Sequence, residues 1–229
     1  MSLSVVFLVF PQIQQLDLTG PYEVLAALPG ATVRLAWKNV EPVTSKSGLV
    51  LVPTATFADC PAADVLCVPG GDGVDALLAD AEVLDFLRRE ATGARFVTSV
   101  CTGALLLGAA GLLAGRRATT HWRSRDLLPL LGAVPAEGRV VRDGNLFTAG
   151  GVTAGIDFAL TIAAELAGRP VAEAIQLGLE YAPAPPFAAG NPESVPPGVL
   201  SAVKARTAAG RARREAAVRA AAAALGTGR

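Results

Sequence analysis

Charge is scarce in this chain of 229 residues: Asp, Glu, Lys and Arg make up 17%, against an apolar share of 52%. That balance excludes a disordered chain and leaves ample material for a large core. Neither sign is in surplus, with 20 Lys and Arg against 20 Asp and Glu, which argues against a nucleic-acid-binding body. A single histidine, His121, and three cysteines without ligand spacing are too few soft donors for a zinc site, so no metal is expected. The odd count of Cys60, Cys67 and Cys101 in a core this size speaks against a disulfide framework and for a reducing compartment. Long apolar runs are missing too. The longest uncharged one, Ala104 to Ala114, is broken by glycines and too short to span a bilayer. The start, Met1-Ser2-Leu3-Ser4, lacks the basic residues of a signal peptide. The expectation is a soluble cytoplasmic protein with no membrane and no nucleic acid among its partners.

What is present is an alternation of buried strands and helices. Val5 to Phe10 is a continuous apolar run closed by Pro11, the mark of a strand covered on both faces. Strands are also expected at Ala31 to Trp37, Leu49 to Val52, Asp64 to Val68, Arg95 to Val100 and near Ala118 to Thr120. Arg139 to Thr148 reads as a hairpin turning at Asp143-Gly144-Asn145. Helices are expected at Tyr22 to Leu28, Val74 to Arg89 (in one piece or two), Thr102 to Leu113, Arg123 to Leu131, Thr153 to Ala167 and Val171 to Leu179. This order predicts a mostly parallel α/β sheet with helices on both faces. Residues 1–198 read as one domain, and residues 199–229 as a basic Ala/Arg-rich helix of the same unit, weakened at Gly210. That helix carries seven of the 20 basic residues and one acidic one, leaving 13 basic against 19 acidic elsewhere. Its first reading is a solvated face.

The most informative segment is Thr98-Ser99-Val100-Cys101-Thr102-Gly103, where a buried strand gives way to a helix with cysteine at the joint. This is a nucleophile elbow with Ser-x-Cys-x-Gly in place of Gly-x-Ser-x-Gly. The helix N-terminus is expected to lower the Cys101 pKa and favour a thiolate. Cys67, inside a strand, and Cys60, in a loop, read as ordinary packing residues. At the carboxyl edge of the sheet the elbow should meet two loops. One carries Asp17, which reads either as a desolvated acid able to hydrogen-bond sulfur or as a helix cap. The other carries Gly70-Gly71, whose N–H groups suit an oxyanion hole or a simple turn. His121 is the only imidazole available as a base, and equally suits a packing role. Val152, Thr153 and Phe187 are expected on the pocket wall.

At these residues the chain resembles the class I glutamine amidotransferase-like superfamily in its PfpI-like branch, most nearly the isocyanide-hydrating members. The resemblance rests on Phe10-Pro11 through Gln14-Gln15-Leu16-Asp17-Leu18-Thr19-Gly20-Pro21, Val68-Pro69-Gly70-Gly71, the elbow, Ala118-Thr119-Thr120-His121-Trp122, Gly150-Gly151-Val152-Thr153-Ala154-Gly155-Ile156-Asp157 and Leu179-Glu180-Tyr181-Ala182-Pro183-Ala184-Pro185-Pro186-Phe187. It implies a flavodoxin-like fold over residues 1–198, a homodimer, and catalysis without metal or organic cofactor. It implies Cys101 as nucleophile, Asp17 as acid/base, and the N–H groups of Gly71 and Thr102 as donors, with Gly70 and His121 beside them. The activity implied is hydration of an isocyanide to an N-substituted formamide through a thioimidate. Rival readings are a redox sensor, a glyoxalase-like or amidase-like enzyme, and a ligand-binding regulator. Thr102, where family proteases carry histidine, argues against peptidase activity.

Overall fold

A computed structural model describes residues 2–226. The chain runs β1 (Leu3–Leu8), α1 (Gln15–Ala26), β2 (Ala31–Trp37), β3 (Val43–Thr44), β4 (Val50–Leu51), β5 (Ala55–Thr56), β6 (Val65–Val68), α2 (Val74–Leu77) and α3 (Ala81–Gly93). It continues through β7 (Phe96–Val100), α4 (Gly103–Ala109), β8 (Arg117–Ala118), a 3-10 helix (Trp122–Leu131), β9 (Val134–Pro135), β10 (Val140–Asp143) and β11 (Leu146–Ala149). Four helices close it: α5 (Ala154–Ala167), α6 (Arg169–Gly178), α7 (Pro197–Arg206) and α8 (Ala208–Leu225).

Seven strands form the main sheet, in the order β10-β11-β7-β6-β1-β2-β5. All neighbours pair parallel except β10, which returns antiparallel to β11 as the predicted hairpin. The fold is the flavodoxin-like α/β arrangement expected. The path from β1 to β2 moves one way along the sheet, and the path β6 to β7 the other. Right-handed crossovers therefore put α1 and α3 on opposite faces. Accordingly α1 packs with α5, and α5 with α6, while α2, α3, α4 and α8 form the other layer. The sequence of β1 follows from its position: Val5 to Phe10 are fully buried between both layers. Each such side chain contributes roughly 1.5–3 kcal/mol. The reversal of direction at β1 opens a crevice at the strand carboxyl ends, where ligands of such sheets bind.

Four elements differ from expectation. Helix α1 begins at Gln15 rather than Tyr22 and carries Pro21 inside it. Proline removes one helical hydrogen bond; its ring is accommodated because α5 presents Gly155, where a Cβ would lie 3.0 Å from Pro21 Cδ. Residues Trp122–Leu131 form a 3-10 helix rather than an α-helix, with Pro129 inside. Leu49 to Val52 contributes only β4, paired with β3 in a separate ribbon. The C-terminal segment is two helices, broken at Thr207 and not at Gly210, because the Thr207 hydroxyl bonds back to the Val203 carbonyl at 2.8 Å. Helix α8 is not a solvated appendage: Val218, Ala221 and Ala222 are buried, and it packs on the 3-10 helix, α4 and α2. Among the described residues no helix is long and apolar enough to cross a membrane.

Candidate active site

Cys101 stands between β7 and α4 with φ at 53°. A non-glycine residue there is strained by roughly 1 kcal/mol or more and must be held in place. The hold is visible on both sides: the Cys101 N–H donates to the Ala149 carbonyl at 3.1 Å, and the Thr120 hydroxyl donates to the Cys101 carbonyl at 2.6 Å. Gly103 lets α4 start against the end of β6, where any Cβ would lie 2.0 Å from the Val68 carbonyl oxygen. The elbow geometry read from the sequence is thus present.

Asp17 sits in the first turn of α1, fully buried. Its Oδ2 accepts the Gly70 N–H at 2.9 Å, so it holds a neighbouring loop and does not cap its own helix. Oδ1 is buried without a hydrogen-bond partner among the described residues. The carboxyl group and the Cys101 sulfur lie close enough for each to shift the titration of the other. Burial pushes the Asp17 pKa up to about 7, outweighing the opposite pull of the Gly70 N–H and of Cys101. Gly70 must be glycine for this meeting, since a Cβ there would lie 2.5 Å from the Thr102 nitrogen and 2.9 Å from Asp17 Oδ2.

The helix N-terminus does not win at Cys101. Burial, then the nearby Asp17 charge, pushes the thiol well above its ordinary value, while the Thr102 N–H and the Arg214 guanidinium pull it down less. The sulfur, only 7% exposed with its residue, is too dry for the expected free thiolate. Asp17 and Cys101 therefore titrate as a pair, and between their two pKa values they share a single proton. The expected backbone donors are also engaged. The Gly71 N–H donates to Thr102 Oγ1 at 3.0 Å, and the Thr102 N–H acts on the Cys101 sulfur in the direction that favours its thiolate.

His121 lines the same cavity. Burial first, then the charges of Arg214, Arg123 and Lys46, push its pKa down to about 4. Its Nδ1 accepts the Arg123 N–H at 3.3 Å, leaving the hydrogen on Nε2. A neutral imidazole with that tautomer is a donor to substrate and a poor base near neutral pH.

The cavity holds about 520 Å³, and Cys101, Thr102, Gly71, His121 and Val152 line it. Thr153 does not; its hydroxyl accepts from Arg139. Phe187 is 77% exposed and also lies outside the lining. Among the described residues no cluster of His, Cys, Asp and Glu could hold a metal ion.

A sequence model of the DJ-1/PfpI family matches residues 3–165. The chain belongs to the DJ-1/PfpI family. Within it, the chain is 62% identical to the isonitrile hydratase of Pseudomonas putida over 208 residues, covering 91% of each chain. A crystal structure of a ThiJ/PfpI family protein from Pseudomonas syringae superposes with a TM-score of 0.93 at 45% identity, covering 95% of this chain and 91% of that one. Drosophila melanogaster DJ-1beta matches at 28% identity with a TM-score of 0.69, over 79% of this chain and 98% of that one.

In this DJ-1/PfpI member the sequence reading missed the roof of the site. Helices α7 and α8 close the cavity with Arg206, Arg211, Arg213 and Arg214. Arg214 donates to Asp75 Oδ1 at 2.7 Å and to the Gly71 carbonyl at 3.2 Å, so α8 is tied to the loop that carries Gly70. The signal in the sequence was the basic surplus after residue 198, read there as a solvent-facing stripe.

Proposed function

We propose that this protein hydrates isocyanides, R–N≡C, to N-substituted formamides, with Cys101 as nucleophile and Asp17 as its acid/base partner. The observation that carries the reading is the buried Cys101–Asp17 pair, with the carboxyl pKa held near 7, in a chain 62% identical to an isonitrile hydratase. Isonitrile and isocyanide name the same group.

The shared proton supplies the first step. The Cys101 sulfur bonds to the terminal carbon while the proton passes through Asp17 to that same carbon, giving the thioimidate Cys–S–CH=N–R. No oxyanion forms here, so occupied N–H groups at Gly71 and Thr102 are no obstacle. Water then adds to the carbon, its hydroxyl forming the C–O bond and its proton reaching nitrogen. Cleavage of the C–S bond yields R–NH–CHO, and the hydroxyl proton returns to the pair. Asp17, with its pKa near the working pH, serves each transfer. His121 Nε2–H orients substrate and water, Gly71, held by the Thr102 hydroxyl, lines the wall beside it, and Gly70 anchors Asp17 behind that wall. Division into two additions through a covalent intermediate lowers each barrier.

The redox-sensor reading fits less well, because such cysteines carry a lowered pKa, whereas burial pushes the Cys101 thiol up. We further place residues 199–226 in the same unit as the rest, and read the protein as a cytoplasmic homodimer, for which the native mass in solution is the test.

The deciding experiment is a mass spectrum after brief mixing with a simple isocyanide. The expected adduct is one isocyanide mass on Cys101, with formamide released on longer incubation. Cys101→Ala should form neither; formamide production by a folded Cys101→Ala protein would end the covalent route.

A further inference from the structure

We infer that the isocyanides this site selects carry an anionic group on the substituent remote from the reacting carbon. The inference rests on the isocyanide reading and adds the class of substrate. Hydration of an isocyano group needs the sulfur, the carboxyl group and a narrow approach. It does not need a cavity of about 520 Å³ with six cationic side chains on its wall. Those six are Lys46, Arg123, Arg206, Arg211, Arg213 and Arg214, against two carboxylates, Asp72 and Asp75. The contrast with the body is sharp, since the first 198 residues carry 13 basic and 19 acidic side chains.

Internal pairing accounts for only part of this charge. Lys46 pairs with Asp72 at 2.9 Å, Arg214 with Asp75 at 2.7 Å, and Arg211 with Asp126 at 2.5 Å and Glu215 at 2.9 Å. Among the described residues, the Arg206 and Arg213 side chains make no hydrogen bond or close ion pair, Arg213 acting on Asp75 only at longer range, and both are exposed at the cavity mouth. Arg123 lies over the Trp122 ring at 5.5 Å and gives one N–H to the Lys204 carbonyl at 3.3 Å, yet its Nε is buried with no partner. A guanidinium oriented on an aromatic face suits a planar anion. Cations gathered at one concave mouth repel one another and focus a positive field. An anionic substituent relieves the first and is drawn by the second, while its isocyano end reaches the neutral floor at Cys101 and His121.

The test uses the full-length protein with ω-isocyanoalkanoates of increasing chain length and their methyl esters, following formamide release. At one chain length or more, kcat/KM for the carboxylate should exceed that for its ester by about tenfold or more. The advantage should shrink as salt rises and fall below about threefold in the Arg206→Gln/Arg213→Gln double variant. Esters turned over as well as their acids at every length would overturn the inference alone. An advantage undiminished in a double variant with unaltered melting would also overturn it. Hydration of neither acid nor ester at any length would remove the isocyanide reading with it.

Discussion

The floor of the cavity and its roof solve different problems with different materials. On the floor, Asp17 is fully buried and Thr102 nearly so, and Gly70, Gly71 and Gly103 let three backbones meet where no Cβ fits. On the roof, α7 and α8 present long arginine side chains, two of them exposed and unpaired among the described residues. The floor fixes atoms through close backbone packing and hydrogen bonds between backbone groups and buried side chains. The roof sets a field through flexible side chains. Chemistry that moves one proton between a sulfur, a carbon and a carboxylate needs the first; choosing which molecules come near needs only the second.

Variants at the floor should therefore be near-lethal to turnover, and variants at the roof graded. After the complete loss expected of Cys101→Ala, the largest effect is expected at Asp17. Asp17→Asn should lower kcat by about 1,000-fold, the range of a lost acid/base group. It should also stabilise the protein. The folded-state pKa of about 7 lies above the ordinary carboxyl value of 3.8, so wild-type stability falls as pH rises through that window and stays lowered above it. The asparagine variant should melt higher than wild type at pH near 8, by up to about 4 kcal/mol, and show no gain below pH near 4. Melting curves across pH test this, and an equal gain at both ends would refute the assignment of a buried, reluctant acid. The same pair predicts that wild-type kcat/KM rises with pH through about 7 as Asp17 loses its extra proton, then holds level while the thiol stays protonated.

Gly70→Ala is the next in size. With 2.5 Å to the Thr102 nitrogen, the loop must move, at a cost of about 1–3 kcal/mol in stability and roughly 100-fold in kcat. An alanine variant with wild-type turnover would show that the floor tolerates slack. The smallest effect belongs to Arg214→Gln, which removes the tie from α8 to Asp75 and the Gly71 carbonyl. About a tenfold loss in kcat/KM is expected, with KM carrying most of it. Loss as deep as that of Asp17→Asn would erase the division between floor and roof.

How much of this was legible follows from the length scale of each signal. The elbow was readable because Val100-Cys101-Thr102-Gly103 sits at a strand-to-helix boundary, and the boundary itself dictates geometry. The β-strand core and the hairpin at Asp143-Gly144-Asn145 were readable for the same local reason. The start of α1 was not, because Gly20-Pro21 reads as a breaker until Gly155 of α5 makes room for the ring. Nor was the sign of the Cys101 shift: a helix N-terminus is visible in sequence, whereas dryness is a property of everything packed around the sulfur. Arg214 was hidden by distance, since its partner Asp75 is 139 residues away in the chain. A surplus of charge can be counted in a sequence, but the direction in which it points cannot.

The family match ends at residue 165, and α7 begins at Pro197. Cys101 and Asp17 thus lie inside the stretch matched by the family model, and the arginines above them lie beyond it. Yet α8 is bound to that scaffold through Arg214 and its buried face, so a change in the terminal helices reaches the glycine loop beneath them as well as the cavity mouth.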